Sequence, residues 1–267
     1  MNYLKELVQN IIKNRYLLLL WIKREIKARY AGTAAGAVWA TLVPLFTIAL
    51  YYIFFSLVLR IKIPDVASSS GYFFYLLAGL IPWMSLSESL GRSTSCLVDY
   101  SFLIQKVVFP MDVIPATVVM VALVPQVVGF VAYFLMLGYS DLMVLDRILF
   151  VPGIFLCQIV LMLGLAYLLA ALGAVFRDSI QAVGIILQFW FYLTPILYPL
   201  KMVPAFFRPF ILWSNPLTPF IMAYQWAFLG IEMPQWIPGM MLVWTGAAVL
   251  LGPAFYQLVA PTLADQV

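Results

Sequence analysis

The chain has 267 residues, of which 65% are hydrophobic and 10% charged, with a mean hydropathy of +1.02 and a formal charge of +4. Soluble globules are about 45–50% apolar, so this composition excludes one and points to a membrane protein. Histidine is absent and only Cys96 and Cys157 are present, which excludes His-dependent triads and the usual zinc, haem and iron–sulfur ligand sets.

The first predicted element is amphipathic. Leu4, Leu7, Val8, Ile11 and Ile12 recur at helical spacing, with Lys5, Glu6, Gln9, Asn10, Lys13 and Asn14 on the other face. This pattern suits a helix lying in a membrane interface. The short apolar run 16–22 is followed at once by Lys23-Arg24-Glu25 and makes a poor signal-peptide core, so the segment is expected to be retained.

Seven uncharged stretches follow: 30–59, 66–87, 113–140, 148–176, 179–200, 209–231 and 233–264. Roughly 20 helical residues cross a hydrocarbon core of about 30 Å. Six stretches read as spans. The exception, 209–231, carries Pro209, Ser214-Asn215-Pro216 and Thr218-Pro219, and reads as half-helices that enter the membrane and return, over 202–231. The expected fold is an all-α polytopic membrane protein: an interface segment 1–30, then a six-span domain 31–267.

Within span 1, Ala31, Gly32, Ala34, Ala35, Gly36 and Ala37 permit close helix approach, and Trp39 lies deeper. Span 2 holds Ile81-Pro82-Trp83, then Glu88 and Arg92. A carboxylate at mid-bilayer costs about 2.5–3.5 kcal/mol, so Glu88 either pairs with Arg92 across one turn or faces a polar path. Cys96 is expected near the end of this span and Cys157 within span 4, both as buried free thiols with no disulfide.

The segment 97–110 connects spans 2 and 3. Asp99 can cap a short helix and Pro110 prevents its continuation. Between them Phe102, Leu103, Ile104, Val107, Val108 and Phe109 form an apolar loop, of the kind that marks a docking site. The most informative stretch is FRDSIQAVGIILQFWFYLTPILYP, residues 176–199. Arg177-Asp178 stands at one mouth of a span broken at Thr194-Pro195 and again at Tyr198-Pro199. Proline frees backbone carbonyls that lipid cannot satisfy, so this end is expected to border protein or a water-filled cavity.

Residues 1–29 carry seven Lys and Arg. With the N-terminus inside, six spans put ten on the inner side and five on the outer. The bias favours both termini in the cytoplasm. No solvated basic face for a nucleic acid is evident.

Several segments occur in a familiar order: RYAGTAAGAVWATLVP, GLIPWMSLSESL, LIQKVVFPMDVIP, FRDSIQAV, FYLTPILYP and NPLTPF. Over nearly its whole length the chain resembles the membrane subunits of ABC polysaccharide exporters, the permeases for O-antigen, capsule and teichoic acid chains. The resemblance implies a lipid-linked polysaccharide cargo, a homodimer in the inner membrane, and two copies of a separate ATPase. It also implies a coupling helix between spans 2 and 3 and outer half-helices between spans 5 and 6.

Candidate ATPase-coupling residues are therefore Asp99, Phe102, Leu103, Ile104, Lys106, Phe109, Arg177 and Asp178. Candidate path residues are Trp39, Trp83, Glu88, Tyr192, Thr194, Pro195 and Tyr198, with Asn215 and Pro216 at an outer gate. Aromatic faces can contact sugars without demanding one hydroxyl pattern. The family commonly has Arg where this chain has Gln225, so a charge-dependent role at the outer mouth is not expected here. It often has Asn where this chain has Asp99-Tyr100, so the docking details are expected to differ.

No lysine is preceded by glycine or followed by serine or threonine, so a P-loop is absent. ATP and Mg are expected on the partner chain, and no cofactor, metal or catalytic residue on this one. An ABC exporter of a drug, haem or lipid is the alternative. A glycan-assembly enzyme is more distant, because the outer acidic residues Asp65, Asp141, Asp146 and Glu232 are scattered.

Overall fold

The computed structural model describes residues 2–30, 46–58, 60, 71–102, 110–140 and 145–266, with no strand among them. Two helices open the chain, α1 (Asn2–Lys13) and α2 (Arg15–Tyr30). A shorter apolar helix, α3 (Phe46–Phe55), passes into a π-helical turn at Ile53–Val58. Three long helices follow: α4 (Gly71–Asp99), α5 (Val113–Gly138) and α6 (Val151–Val175), the last preceded by a single turn at Leu145–Ile148. Next come α7 (Asp178–Leu193), α8 (Arg208–Ser214), α9 (Thr218–Leu229) and α10 (Ile237–Gln266).

Among the described residues, four helical stretches are long and apolar enough to cross a membrane: Gly71–Asp99, Val113–Gly138, Asp146–Val175 and Ile237–Val259. These correspond to predicted spans 2, 3, 4 and 6. The predicted fifth span holds only the 16 residues of α7 before its ladder stops at Thr194, about 24 Å at 1.5 Å per residue. Much of the first falls on residues 31–45, outside the described residues, so its small-residue face and Trp39 have no structural description.

Two close crossings bind the bundle. A Cβ on Gly173 of α6 would lie 1.7 Å from the Thr94 carbonyl oxygen of α4, and one on Gly252 of α10 would lie 1.9 Å from that of Gly164 on α6. Backbone therefore meets backbone, and any larger residue would have to part the helices. At a third contact Gln126 and Gln158 exchange amide hydrogen bonds at 2.9 and 2.8 Å, and Tyr224 donates to Gln158 Oε1 at 2.6 Å. All three are buried. The two amides and the phenol thus satisfy one another away from water, and α9 is tied to α5 and α6.

The Gly173–Thr94 contact places the C-terminal end of α6 beside that of α4. A cluster there joins Leu7, Cys96, Leu97, Ile114, Tyr167, Tyr256 and neighbours. The larger cluster fills the rest of the bundle, from Trp83 through Phe130 and Leu161 to Tyr224 and Phe228. Cys96 is buried, Cys157 shares a hydrogen bond with Thr245 Oγ1 at 3.2 Å, and both are free thiols.

At the opposite end α8 and α9 form a bent pair around Asn215-Pro216. Prolines in their first turns, Pro209 and Pro219, suit positions whose missing N–H has no intrahelical partner. Gly230 ends α9 with φ 70°, and its N–H returns to the Trp226 carbonyl at 3.0 Å. Glycine adopts this left-handed C-cap without Cβ strain.

Candidate functional site

At the Asp99 end, α2 packs on α5, and side chains from one of its faces reach α4 in antiparallel order. Trp21, Glu25 and Arg29 recur every four residues on α2 and so share one face. They meet Tyr100, Arg92 and Glu88 in reverse order. Arg29 pairs with Glu88, Arg92 Nη2 lies 3.3 Å from Glu25 Oε2, and the Tyr100 hydroxyl donates to Glu25. The Trp21 and Tyr100 rings meet edge to face at 5.8 Å, and the Arg24 guanidinium lies 4.3 Å from the Trp21 ring centre. Burial raises the Tyr100 phenol above its ordinary pKa, and the adjoining Glu25 carboxylate raises it further. The phenol is a neutral donor at any physiological pH.

The expected Glu88–Arg92 pair is present but loose, at 3.8 Å. Arg29, 59 positions earlier, holds Glu88 more closely. Asp99 closes α4, and its carboxylate accepts from Ser95 Oγ one turn back at 2.7 Å. Its side chain is thus engaged backward along α4. Phe102 is exposed. Leu103, Ile104, Lys106 and Phe109 lie outside the described residues. Past them, Asp112 accepts from Asn10 Nδ2 at 2.9 Å through its side chain and from the Tyr167 hydroxyl at 2.6 Å through its carbonyl. The interhelix segment is held on its near side by α2 and on its far side by α1.

Arg177 and Asp178 are exposed at the same end, at the turn between α6 and α7. Asp178 stands in the first turn of α7, where a carboxylate is favoured by the helix dipole.

At the opposite end the break in α7 is sealed by hydrogen bonds. The Pro195 carbonyl accepts from Tyr75 Oη at 2.6 Å and from Gln225 Nε2 at 2.9 Å. Tyr75 also reaches the Tyr198 carbonyl at 2.8 Å, and Tyr72 reaches that of Leu197 at 2.9 Å. Tyr198 folds its hydroxyl back to the Tyr192 carbonyl at 2.7 Å. Asn215 donates to Thr194 Oγ1 at 2.7 Å and accepts the Leu217 N–H at 2.9 Å. Thr194, Pro195, Asn215 and Pro216 are all buried. The carbonyls freed by proline border protein, one of the two surroundings expected for this break.

Between the two ends, a cavity of about 320 Å³ opens between α3, α4 and α7, lined by residues that include Tyr51, Trp83, Gln188, Phe191 and Tyr192. Trp83 lies 5.6 Å from the Phe191 ring, and Tyr51 lies 5.4 Å from it. Trp83 and Tyr192, chosen separately from sequence, thus line the same cavity. Glu88 and Tyr198 are not among its lining residues.

Sequence reading missed Glu25, Arg29, Asn10, Asp112, Tyr72 and Tyr75. The row Trp21, Glu25, Arg29 was a usable signal, since four-residue spacing collects partners on one face. The tyrosines carried none, because aromatics are expected throughout a membrane protein.

Helical architecture and membrane-length apolar helices define a multi-pass membrane protein. The chain belongs to the ABC-2 type transporter family, whose model matches residues 16–229. It is 34% identical over 247 residues to the O-antigen export system permease protein RfbA of Myxococcus xanthus, covering 91% of this chain and 92% of the relative. A Klebsiella pneumoniae protein of the same name is 29% identical, with 80% of each chain covered. The polysialic acid transport protein KpsM of Escherichia coli is 23% identical, with 73% of this chain and 74% of the relative covered.

Proposed function

We propose that this chain is the permease subunit of an ATP-driven exporter that moves a lipid-linked polysaccharide, O-antigen-like in kind, from the cytoplasm across the inner membrane. The observation that carries the reading is the 34% identity to an O-antigen export permease over 91% of the chain. The chain works as a conduit. Hydrolysis of ATP belongs to a partner ATPase, two copies serving a homodimer of this permease.

In this reading the Asp99 end faces the cytoplasm, as the ten-to-five division of Lys and Arg favours. The segment 97–110 meets the ATPase, supported by Arg177 and Asp178. The apolar character of 102–109 supports this, because exposed apolar patches mark contact surfaces. Both flanks of the segment are anchored to α1 and α2, so a push on it would reach the N-terminal helices and α4 together.

The bent pair α8–α9 then lies on the outer side, with Asn215-Pro216 narrowing the exit of a path formed by spans 1 and 5 of two copies. Trp83 and Tyr192 are the aromatic contacts best supported, because both border the cavity beside α7. Deleting the gene tests the assignment. The deletion strain is expected to lose surface polysaccharide while completed lipid-linked chains accumulate on the cytoplasmic face. Unchanged surface polysaccharide would overturn it.

A further inference from the structure

We propose that the outward face of α1 and α2 is a binding surface for anionic phospholipid headgroups. At about 100° per residue, Tyr16, Leu19, Leu20, Lys23 and Lys27 share one face of α2, opposite the row Trp21, Glu25, Arg29 that contacts α4. All five are exposed, Leu19 and Leu20 by 62% and 66%. On α1, Leu7 and Ile11 pack on the bundle, whereas Leu4, Val8 and Ile12 form an exposed stripe beside Lys5.

The surface therefore combines large uncovered apolar side chains with cations, and α2's carboxylate, Glu25, is turned inward toward Arg92 and Tyr100. Apolar residues at the acyl boundary with lysines reaching the headgroups are what an anionic interface selects. The depth is appropriate, because Arg29 pairs with Glu88 well inside the membrane-length helix α4. The free face of α2 thus stands beside lipid. A second copy is the wrong occupant, since it would bring the same cations against these.

The test uses the full chain with Cys96→Ser and Cys157→Ser and a bimane fluorophore on Leu20→Cys, reconstituted in phosphatidylcholine liposomes. Bromine-labelled phosphatidylglycerol or bromine-labelled phosphatidylcholine is then titrated in at equal mole fractions. The phosphatidylglycerol probe is expected to quench at several-fold lower mole fraction. The preference should fall about five-fold for each lysine neutralised in Lys23→Gln and Lys27→Gln, the order expected of one cation at an anionic surface, and should fade in high salt. A second label on Val8→Cys, read with Lys5→Gln, repeats the measurement on α1. Equal quenching by both lipids would overturn the proposal by showing apolar contact without headgroup recognition. Absence of quenching by either would overturn it by showing the face covered by protein. The inference rests on the membrane-spanning fold and not on the cargo, so its failure leaves the export reading standing.

Discussion

Asn10 and Asp112 are joined side chain to side chain at 2.9 Å across 102 positions of sequence. This bond fixes the start of α5 to α1, as Tyr100 and Glu25 fix the end of α4 to α2. The described residues on either side of 103–109 are thus tied to the two N-terminal helices. Tyr100→Phe removes a hydrogen bond to a carboxylate, worth about 1.5–3 kcal/mol, while leaving the ring against Trp21. The expected outcome is an assembled complex that hydrolyses ATP but exports about ten-fold less polysaccharide. Loss of ATPase binding in Tyr100→Phe would show instead that the residue touches the partner.

Arg29 and Glu88 give a second expectation. Both are partly exposed, so breaking the pair should cost about 1–3 kcal/mol, between the values for surface and buried pairs. Arg29→Glu alone sets two carboxylates together and is expected to lower the melting temperature in detergent. Combining it with Glu88→Arg should recover at least half of that loss. A double variant no better than Arg29→Glu would deny the pairing.

How much of this was legible from sequence depends on the range of the interaction. The break at Thr194-Pro195 was evident, because proline acts on its own helix. Spans 2, 3, 4 and 6 were evident from uncharged length alone. The shortness of α7 was not: 179–200 reads as one apolar run, and only the folded chain shows the ladder stopping at Thr194. Glu88 was singled out correctly as needing a partner, but a one-turn rule favours Arg92 over an arginine 59 residues away. Gly173 and Gly252 were overlooked because one small residue in an apolar helix carries no pattern until the helix it crosses is known.

The seal around Pro195 has redundant donors, which sets a non-additive expectation. Tyr75→Phe leaves the Pro195 carbonyl with Gln225, and Gln225→Leu leaves it with Tyr75. Each single change is expected to cost about 1 kcal/mol, and the pair about 3 kcal/mol or more, since a buried carbonyl then lacks both partners. Thermal unfolding of the four proteins in one detergent checks this. Simple additivity would mean that water or lipid headgroups reach the break.

Gly173 faces the Thr94 carbonyl too closely for any side chain. Gly173→Val is expected to destabilise the bundle by about 1–3 kcal/mol, the range for overpacking, whereas Gly184→Val, whose added Cβ would meet nothing within 4 Å, should change little. Equal effects at the two positions would contradict the close crossing of α4 and α6.

The proposed docking role of the interhelix segment predicts that Leu103→Asp and Ile104→Asp each abolish co-purification of the ATPase, because an unpaired charge in an apolar contact is costly. Normal assembly of both variants would move the contact elsewhere.

The central claim is tested most directly in inside-out membrane vesicles that hold this permease, its ATPase and a lectin-accessible lipid-linked polysaccharide. On addition of ATP the account predicts that the polysaccharide becomes protected from the lectin inside the vesicle lumen. Protection should be lost with a non-hydrolysable ATP analogue or with Leu103→Asp. Polysaccharide that stays accessible while the intact complex hydrolyses ATP would contradict the account.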